Sequence, residues 1–417
     1  MKTVLIIEDS AIVLKVLRHV LSRSSQIHPV YATSYAEARE QIESGEHTFF
    51  AALVDLTLPD AAQGEVVDYV LGQQIPTVVL TGSFDEKRRE TLLAQGVVDY
   101  VTKEGRYSYD YASSVLHRLI KNQSVKVLVV DDSTTARHYV SGLLRLHLYQ
   151  VVEAADGVEA IKALLEHPDI RILITDYNMP RMDGFELVKT IRAKYEKTDL
   201  IIIGLSSEGE GALSAKFIKN GANDFLRKPF NHEEFHCRIS HNIEFVELVE
   251  QVRDAANRDD LTGCYNRKYF FEYGASVRDR AVQNGSPLSV AVINLDDFNS
   301  VNERYGHEIG NFVMQRIADS LTEAFDRFLL ARAGGQEFFA LMPGLGHDKA
   351  LAYVNRVREV IGANTQLLGN ERATITFSAG VTSDLGDSID TMLSNAGLAL
   401  QRAREAGGDL VFGDDEA

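Results

Sequence analysis

Val4-Leu5-Ile6-Ile7-Glu8-Asp9-Ser10 decides the fold of the first half of this 417-residue chain. Four apolar residues in a row, three of them β-branched, read as a strand buried on both faces, and the strand ends in a pair of acids. The same phrase returns as Val127-Leu128-Val129-Val130-Asp131-Asp132-Ser133. Leu53-Val54-Asp55-Leu56-Thr57-Leu58-Pro59 returns as Ile174-Thr175-Asp176-Tyr177-Asn178-Met179-Pro180. Val78-Val79-Leu80-Thr81-Gly82 returns as Ile203-Gly204-Leu205-Ser206-Ser207. Gly96-Val97-Val98-Asp99-Tyr100-Val101-Thr102-Lys103 returns as Gly221-Ala222-Asn223-Asp224-Phe225-Leu226-Arg227-Lys228. The offsets stay between 121 and 125 residues, which marks a tandem duplication of one domain-sized unit.

Within each copy, short β-branched runs alternate with helical patterns, which implies βαβ units around a parallel sheet. The polar residues stand just after the strands, where an open parallel sheet places its site. Three carboxylates gathered there repel one another and call for a hard, oxygen-loving cation such as Mg²⁺. A hydroxyl and an ammonium opposite the metal can take the oxygens of a phosphoryl group. The constellation resembles the receiver domain of two-component response regulators, over residues 1–122 and 124–240. The resemblance implies that Asp55 and Asp176 accept a phosphoryl group from a sensor histidine kinase or a phosphotransfer protein. It implies that Glu8, Asp9 and Asp55, and Asp131, Asp132 and Asp176, hold Mg²⁺. Thr81, Lys103, Ser206 and Lys228 would contact the phosphoryl group, and Tyr100 and Phe225 match the aromatic that turns inward on phosphorylation. The second copy follows the pattern more closely. One extra residue separates Asp55 from Gly64, and Glu104 follows Lys103 where the second copy has Pro229. These departures imply that Asp55 is phosphorylated more slowly, or by a different kinase.

From 235 to 257 the chain has neither Pro nor Gly. Ile239, Ile243 and Val246 form one apolar set, and Phe245, Leu248, Val252 and Ala255 form another with coiled-coil-like spacing. The spacing predicts that the last helix of the second copy runs on into a stalk over residues 241–258.

Arg332-Ala333-Gly334-Gly335-Gln336-Glu337-Phe338 dominates the remainder. It resembles the Gly-Gly-acid-Glu-Phe turn of the GGDEF family, the bacterial diguanylate cyclases. Asp260-Leu261-Thr262-Gly263, Asp296-Asp297-Phe298 and Gly306-His307-Glu308-Ile309-Gly310-Asn311 extend the resemblance over residues 259–413. It implies a nucleotidyl-cyclase-like α/β domain. The family's metal carboxylates fall at Asn294, Gln336 and Glu337, and only Glu337 is an acid. The phosphate-contacting Lys falls at Asn299, and a later Lys becomes Arg404. The guanine-reading positions fall at Asn302 and at Asn311, where the family has Asp. The product-inhibition pair, an Arg and an Asp, falls at Phe325 and Phe328. An amide brings no net charge to offset the desolvation of a dication, and metal is what gathers the anionic oxygens of GTP. The catalytic positions Asn294, Gln336 and Asn299 are therefore read as degenerate. Two readings stay open beside a lost activity: an active cyclase making cyclic di-GMP from two GTP, with metal on Glu337 and Asp296, and a GTP sensor without turnover. The second would use Asn302, Asn311, Gly334, Gly335, Glu337 and Arg404.

The formal net charge is −17, which repels a phosphate backbone and argues against nucleic-acid binding. No run is long and apolar enough to span a bilayer, and no secretory leader is evident, so a cytoplasmic location is expected. Cys237 and Cys264 lack metal-ligand spacing and are expected as reduced thiols. The expected architecture is two doubly wound (βα)5 domains, a helical stalk and a degenerate GGDEF domain. Its expected output is homodimerisation on phosphorylation, or docking to an output protein that the sequence does not name.

Overall fold

The computed structural model describes residues 1–207, 211–363, 365–368 and 371–414. The chain divides into two compact units, Met1–Val249 and Glu250–Ala417.

The first unit opens with β1 (Lys2–Ile7), α1 (Ala11–Leu21), β2 (Ile27–Ala32), α2 (Tyr35–Glu43), β3 (Ala51–Asp55), α3 (Glu65–Gly72), β4 (Thr77–Thr81), α4 (Glu86–Ala94), β5 (Asp99–Thr102) and α5 (Arg106–Asn122). The strands lie in the order β2-β1-β3-β4-β5, all parallel. Alternation along β1 builds two cores at once. Val4 and Ile6 pack with Leu14, Leu17 and Leu116 on one face, while Leu5 and Ile7 pack with Ala38, Val66 and Val70 on the other. Helices cover both faces, so the strand is apolar throughout its centre. Ser10 starts α1 by accepting from the Val13 N–H.

The pattern repeats with β6 (Lys126–Val130), α6 (Thr134–Leu146), β7 (Gln150–Ala154), α7 (Gly157–Glu166), β8 (Ile170–Asp176), α8 (Gly184–Arg192), β9 (Ile201–Ser206), α9 (Gly211–Lys219), β10 (Asp224–Arg227) and α10 (His232–Asn257). This sheet runs β7-β6-β8-β9-β10, again parallel. Both sheets change winding direction beside their first strand, and such a switch point leaves a crevice at the carboxyl ends of the strands. The two domains meet along α5 and α10. Arg118 donates two hydrogen bonds to Glu247, at 2.8 and 2.9 Å, and Lys121 adds a third at 2.8 Å. Arg89 of α4 pairs with Glu233 of α10.

The 26-residue α10 carries the two expected apolar sets on different faces. Ile239, Ile243 and Val246 are buried in the core of the second domain. Phe245, Leu248 and Val252 are 60%, 58% and 62% exposed, so that face is left largely uncovered among the described residues.

The second unit contains β11 (Tyr265–Asn266), α11 (Arg267–Asn284), β12 (Leu288–Leu295), α12 (Phe298–Tyr305), α13 (His307–Ala324), β13 (Leu329–Gly334), β14 (Glu337–Pro343), α14 (His347–Ala363), β15 (Thr365–Leu368), β16 (Glu371–Thr374), β17 (Phe377–Thr382), α15 (Ile389–Glu405) and β18 (Val411–Phe412). Its main sheet runs β11-β13-β14-β12-β17-β18, with β12 antiparallel to both neighbours. A tight hairpin joins β13 to β14. Gly335 sits in the left-handed region at φ +54°, a conformation that favours glycine. Phe325 and Phe328 turn inward, and both meet Tyr353 edge-on, at 5.6 and 5.3 Å between centroids. The positions matched to the product-inhibition pair thus extend the core. Both cysteines are free, Cys237 exposed and Cys264 buried. No helix among the described residues is long and apolar enough to cross a membrane.

Candidate functional site

The crevice of the first domain gathers the predicted residues from the ends of three strands. Lys103, just past β5, donates to Glu8 at 2.7 Å and to Asp55 at 2.6 Å. Glu8 and Asp55 are almost wholly buried, while Asp9 is exposed at the rim. Oxygens of Glu8, Asp9 and Asp55 lie within 4.8 Å of one another, a spacing one cation can collect. Burial pushes the Glu8 carboxyl above the usual range, and Lys103 only partly opposes it. Burial also works against the Lys103 ammonium, but its hydrogen bonds to Asp55 and Glu8 outweigh it and hold its pKa above the ordinary lysine value. One ammonium among three carboxylates leaves the pocket short of positive charge, which suits a divalent ion.

Thr81 and Tyr100 meet at one atom. The Thr81 hydroxyl donates to the Ser83 carbonyl at 3.1 Å, and the Tyr100 hydroxyl reaches the same oxygen at 3.2 Å. Tyr100 is buried, with its ring turned into the domain. The hydroxyl that would contact a phosphoryl group and the aromatic that would follow it share a backbone acceptor.

The second crevice repeats the first. Lys228 donates to Asp131 at 2.7 Å and to Asp176 at 2.5 Å, and Asp132 is exposed beside them. Burial raises the Asp176 pKa against the pull of Lys228. Ser206 is buried at the end of β9. Phe225 is half-buried and packs on Phe217, at 5.6 Å between centroids. The shorter loop after Asp176 depends on Gly184. A Cβ there would stand 2.2 Å from the Asp176 carbonyl oxygen, so only glycine lets α8 start against the acceptor strand. In the first domain the longer loop instead closes through a Leu58–Ala61 bridge and enters α3 at Gly64, φ +88°.

The hairpin of the second unit shows a different chemistry. Asn294 stands next to last in β12, paired with Glu337 beside the β13–β14 turn, and Gln336 Nε2 donates to Asn294 Oδ1 at 3.3 Å. One hydrogen bond thus joins the two amides that stand at the expected metal positions. Asp296 accepts from Thr376 at 2.9 Å, from Ser378 at 2.7 Å and from the Asp409 N–H at 3.0 Å. Its carboxylate is a bracket between β12, β17 and the loop after α15. Glu337 is half-buried, and burial raises its pKa despite the charge of Arg267. Arg332 holds the turn closed. It donates to the Gly335 carbonyl at 3.0 and 2.7 Å and to Asp259 at 2.9 Å. Asn299, Asn311 and Arg404 are exposed, and Asn302 is half-buried with Oδ1 against the Cα of Gly310. The brackets made by Asp296 and Arg332 were not singled out from sequence, because their partners lie far along the chain.

Residues 256–409 match the diguanylate cyclase GGDEF domain family, and residues 4–108 and 127–240 match the response regulator receiver domain family. Response regulator PleD of Caulobacter vibrioides is 27% identical over 302 residues, which are 69% of this chain. The chain spans 65% of the length of PleD. A chemotaxis protein CheY homolog of Campylobacter jejuni is 45% identical over 107 residues, 25% of this chain and 82% of that protein. The crystal structure of a two-component system response regulator/GGDEF domain protein superposes with a TM-score of 0.55 at 43% identity, covering 59% of this chain and 100% of the other. The two receiver matches together take in more than half of the residues. The chain belongs to the response regulator receiver family, with two receiver domains followed by a GGDEF domain.

Proposed function

We propose that the protein is a phosphorylation-controlled response regulator whose GGDEF domain has lost cyclase chemistry and acts by self-association or by binding an output protein. Its receivers occupy 1–122 and 124–240, a stalk 241–258, and the output domain 259–413. Asp55 and Asp176 are the acceptors. A carboxylate oxygen attacks the phosphorus of a phosphohistidine on a sensor kinase or phosphotransfer protein, forming an O–P bond as the N–P bond breaks. Lys103 and Lys228 already touch their acceptors and neutralise the acyl phosphate that forms. Glu8, Asp9 and Asp55, and Asp131, Asp132 and Asp176, would hold Mg²⁺, which offsets charge on the transferring phosphoryl group. Thr81 and Ser206 sense the added oxygens, and Tyr100 and Phe225 relay the change. On this reading it acts in cyclic di-GMP-type signalling in the cytoplasm.

The observation that carries the loss of catalysis is the Gln336–Asn294 hydrogen bond. Two carboxylates in that place would repel each other and favour a cation between them, whereas two neutral amides can hydrogen-bond directly. The three hydrogen bonds on Asp296 weigh against the alternative metal arrangement through Asp296 and Glu337. Incubation of beryllofluoride-activated protein with GTP and Mg²⁺ or Mn²⁺, followed by chromatography, tests the reading. No cyclic di-GMP is expected, and its appearance at ordinary cyclase turnover would overturn it. Retention of GTP without product favours the sensor reading, which the intact Gly334-Gly335 turn supports.

A further inference from the structure

Where the second receiver meets the first, three histidines come together outside either phosphorylation site. His147 follows α6, and His232 and His236 stand one turn apart at the start of α10, the i, i+4 spacing that puts two imidazoles on one helix face. One nitrogen from each ring lies within 4.8 Å of the others. All three residues line a cavity of about 620 Å³ between α5 and α10, which Tyr100 also lines. We propose that His147, His232 and His236 form a binding site for a divalent d-block cation such as Zn²⁺, with a further coordination position open to the cavity.

The nitrogens are prepared for this. His147 Nε2 lies 3.1 Å from the Val98 carbonyl, which can only accept, so Nε2 carries the proton and Nδ1 keeps its lone pair. His236 is bonded to the Leu143 carbonyl, and its Nε2 is buried without a hydrogen-bond partner. The His232 Nε2 is likewise buried and unpartnered. A second ring nitrogen tied to a backbone carbonyl is the usual outer support of a metal-binding imidazole. Burial drives the pKa of His147 down to about 3 and of His232 down to about 4, and that of His236 well below its ordinary value, so protons do not compete for the lone pairs at neutral pH. An all-imidazole set selects zinc-like ions over Mg²⁺, which prefers oxygen.

The His147 and His236 rings are stacked, with centroids 3.3 Å apart and planes 13° from parallel. Parallel rings cannot both aim at one ion, so binding tilts one of them toward the cavity. Rotation about that bond is soft for histidine. The first receiver fixes His147 at both ends, through Val98 on the ring and through Asn122 Nδ2, which donates to the His147 carbonyl at 3.0 Å. A bound ion therefore fastens α10 to α6 in the orientation that the docked first receiver imposes.

Full-length protein stripped with chelator and dialysed against Co²⁺ tests this, with millimolar Mg²⁺ present to occupy the carboxylate sites. One Co²⁺ per chain should be retained, with a visible d–d absorption band of nitrogen ligation. His232→Gln and His147→Gln should each weaken retention by more than about a hundredfold, beyond the roughly ten- to hundredfold that loss of an outer support costs. Excess Zn²⁺ should erase the band. Retention without a visible band, no retention, or equal retention by wild type and both variants would overturn the proposal and leave the rings as packing alone. The wild-type spectrum decides the matter even where a variant fails to fold.

Discussion

The acid pocket of the first receiver and the β13–β14 turn both hold side chains expected to meet a metal, and they balance charge in opposite ways. At Glu8, Asp9 and Asp55, three acids face one lysine, and the surplus negative charge persists in the fold. Asn294 and Gln336 carry no charge, and one hydrogen bond joins them. Acids gathered around one lysine keep their attraction for a cation, whereas neutral amides can hydrogen-bond directly and carry no charge that calls for one. The contrast separates the input half of the chain from its output half more sharply than fold similarity does, because function lives in the site.

The largest effect should come from the acceptors. With acetyl phosphate and Mg²⁺, intact-mass spectra should show two added phosphoryl groups, and Asp55→Asn or Asp176→Asn should each remove one completely. A single phosphoryl group on wild type would make one receiver an adaptor, and the longer loop after Asp55 marks the first as that one.

Next is the cyclase reaction. A metal site short of two carboxylates should lose on the order of a thousandfold or more in rate, about 4 kcal/mol of transition-state stabilisation. Asn294→Asp with Gln336→Glu should not restore full turnover, because Asn299 and Asn311 remain. That double variant should instead melt lower than wild type in chelator and recover in Mg²⁺, since it recreates the uncompensated acids of the receivers. A melting point indifferent to Mg²⁺ would break the comparison.

Much of this was legible in the sequence, for a physical reason. The receiver chemistry sits at strand ends, so a few positions in fixed order report both the sheet and its site, and the repeat states them twice. The two faces of α10 were legible because helical periodicity is local: Ile239, Ile243 and Val246 are buried, and Leu248 and Val252 are exposed. Pairings across long separations were not. Asn294 and Gln336 read as two independent losses until β12 and β14 bring them together. His232 and His236 offered a local spacing, but His147 joins them only through the packing of α6 on α10. Phe325 and Phe328 read as a missing charged pair, whereas their rings serve the core with Tyr353.

That core role gives the third prediction. Phe325 is 1% exposed, so Phe325→Ala should destabilise the second unit by about 3–5 kcal/mol in chemical denaturation. A loss under about 1 kcal/mol would mean that the position is a surface one after all. The exposed face of α10 gives a smaller effect. If activated receivers align two chains, beryllofluoride should tighten self-association by about tenfold, equal to about 1.4 kcal/mol, and Leu248→Asp should reverse it. Light scattering across a concentration series reads both. An unchanged dimer constant would assign the output to a partner protein, and loss of monomer stability in Leu248→Asp would contradict its exposure.

The smallest effect concerns the contact between receivers. The Arg118 hydrogen bonds, helped by Lys121, hold the Glu247 carboxyl down at about 2, against the opposing effect of burial. Because the folded pKa lies below the unfolded one, the unfolded chain binds more protons between them. The contribution of Glu247 is therefore complete above the ordinary glutamate range and fades as pH falls toward the folded value. Glu247→Gln should cost about 1 kcal/mol at neutral pH, as a bidentate pair at the upper end of partly exposed bridges would. The gap between variant and wild type should narrow below about pH 4. A gap independent of pH would show that Glu247 acts through packing rather than charge.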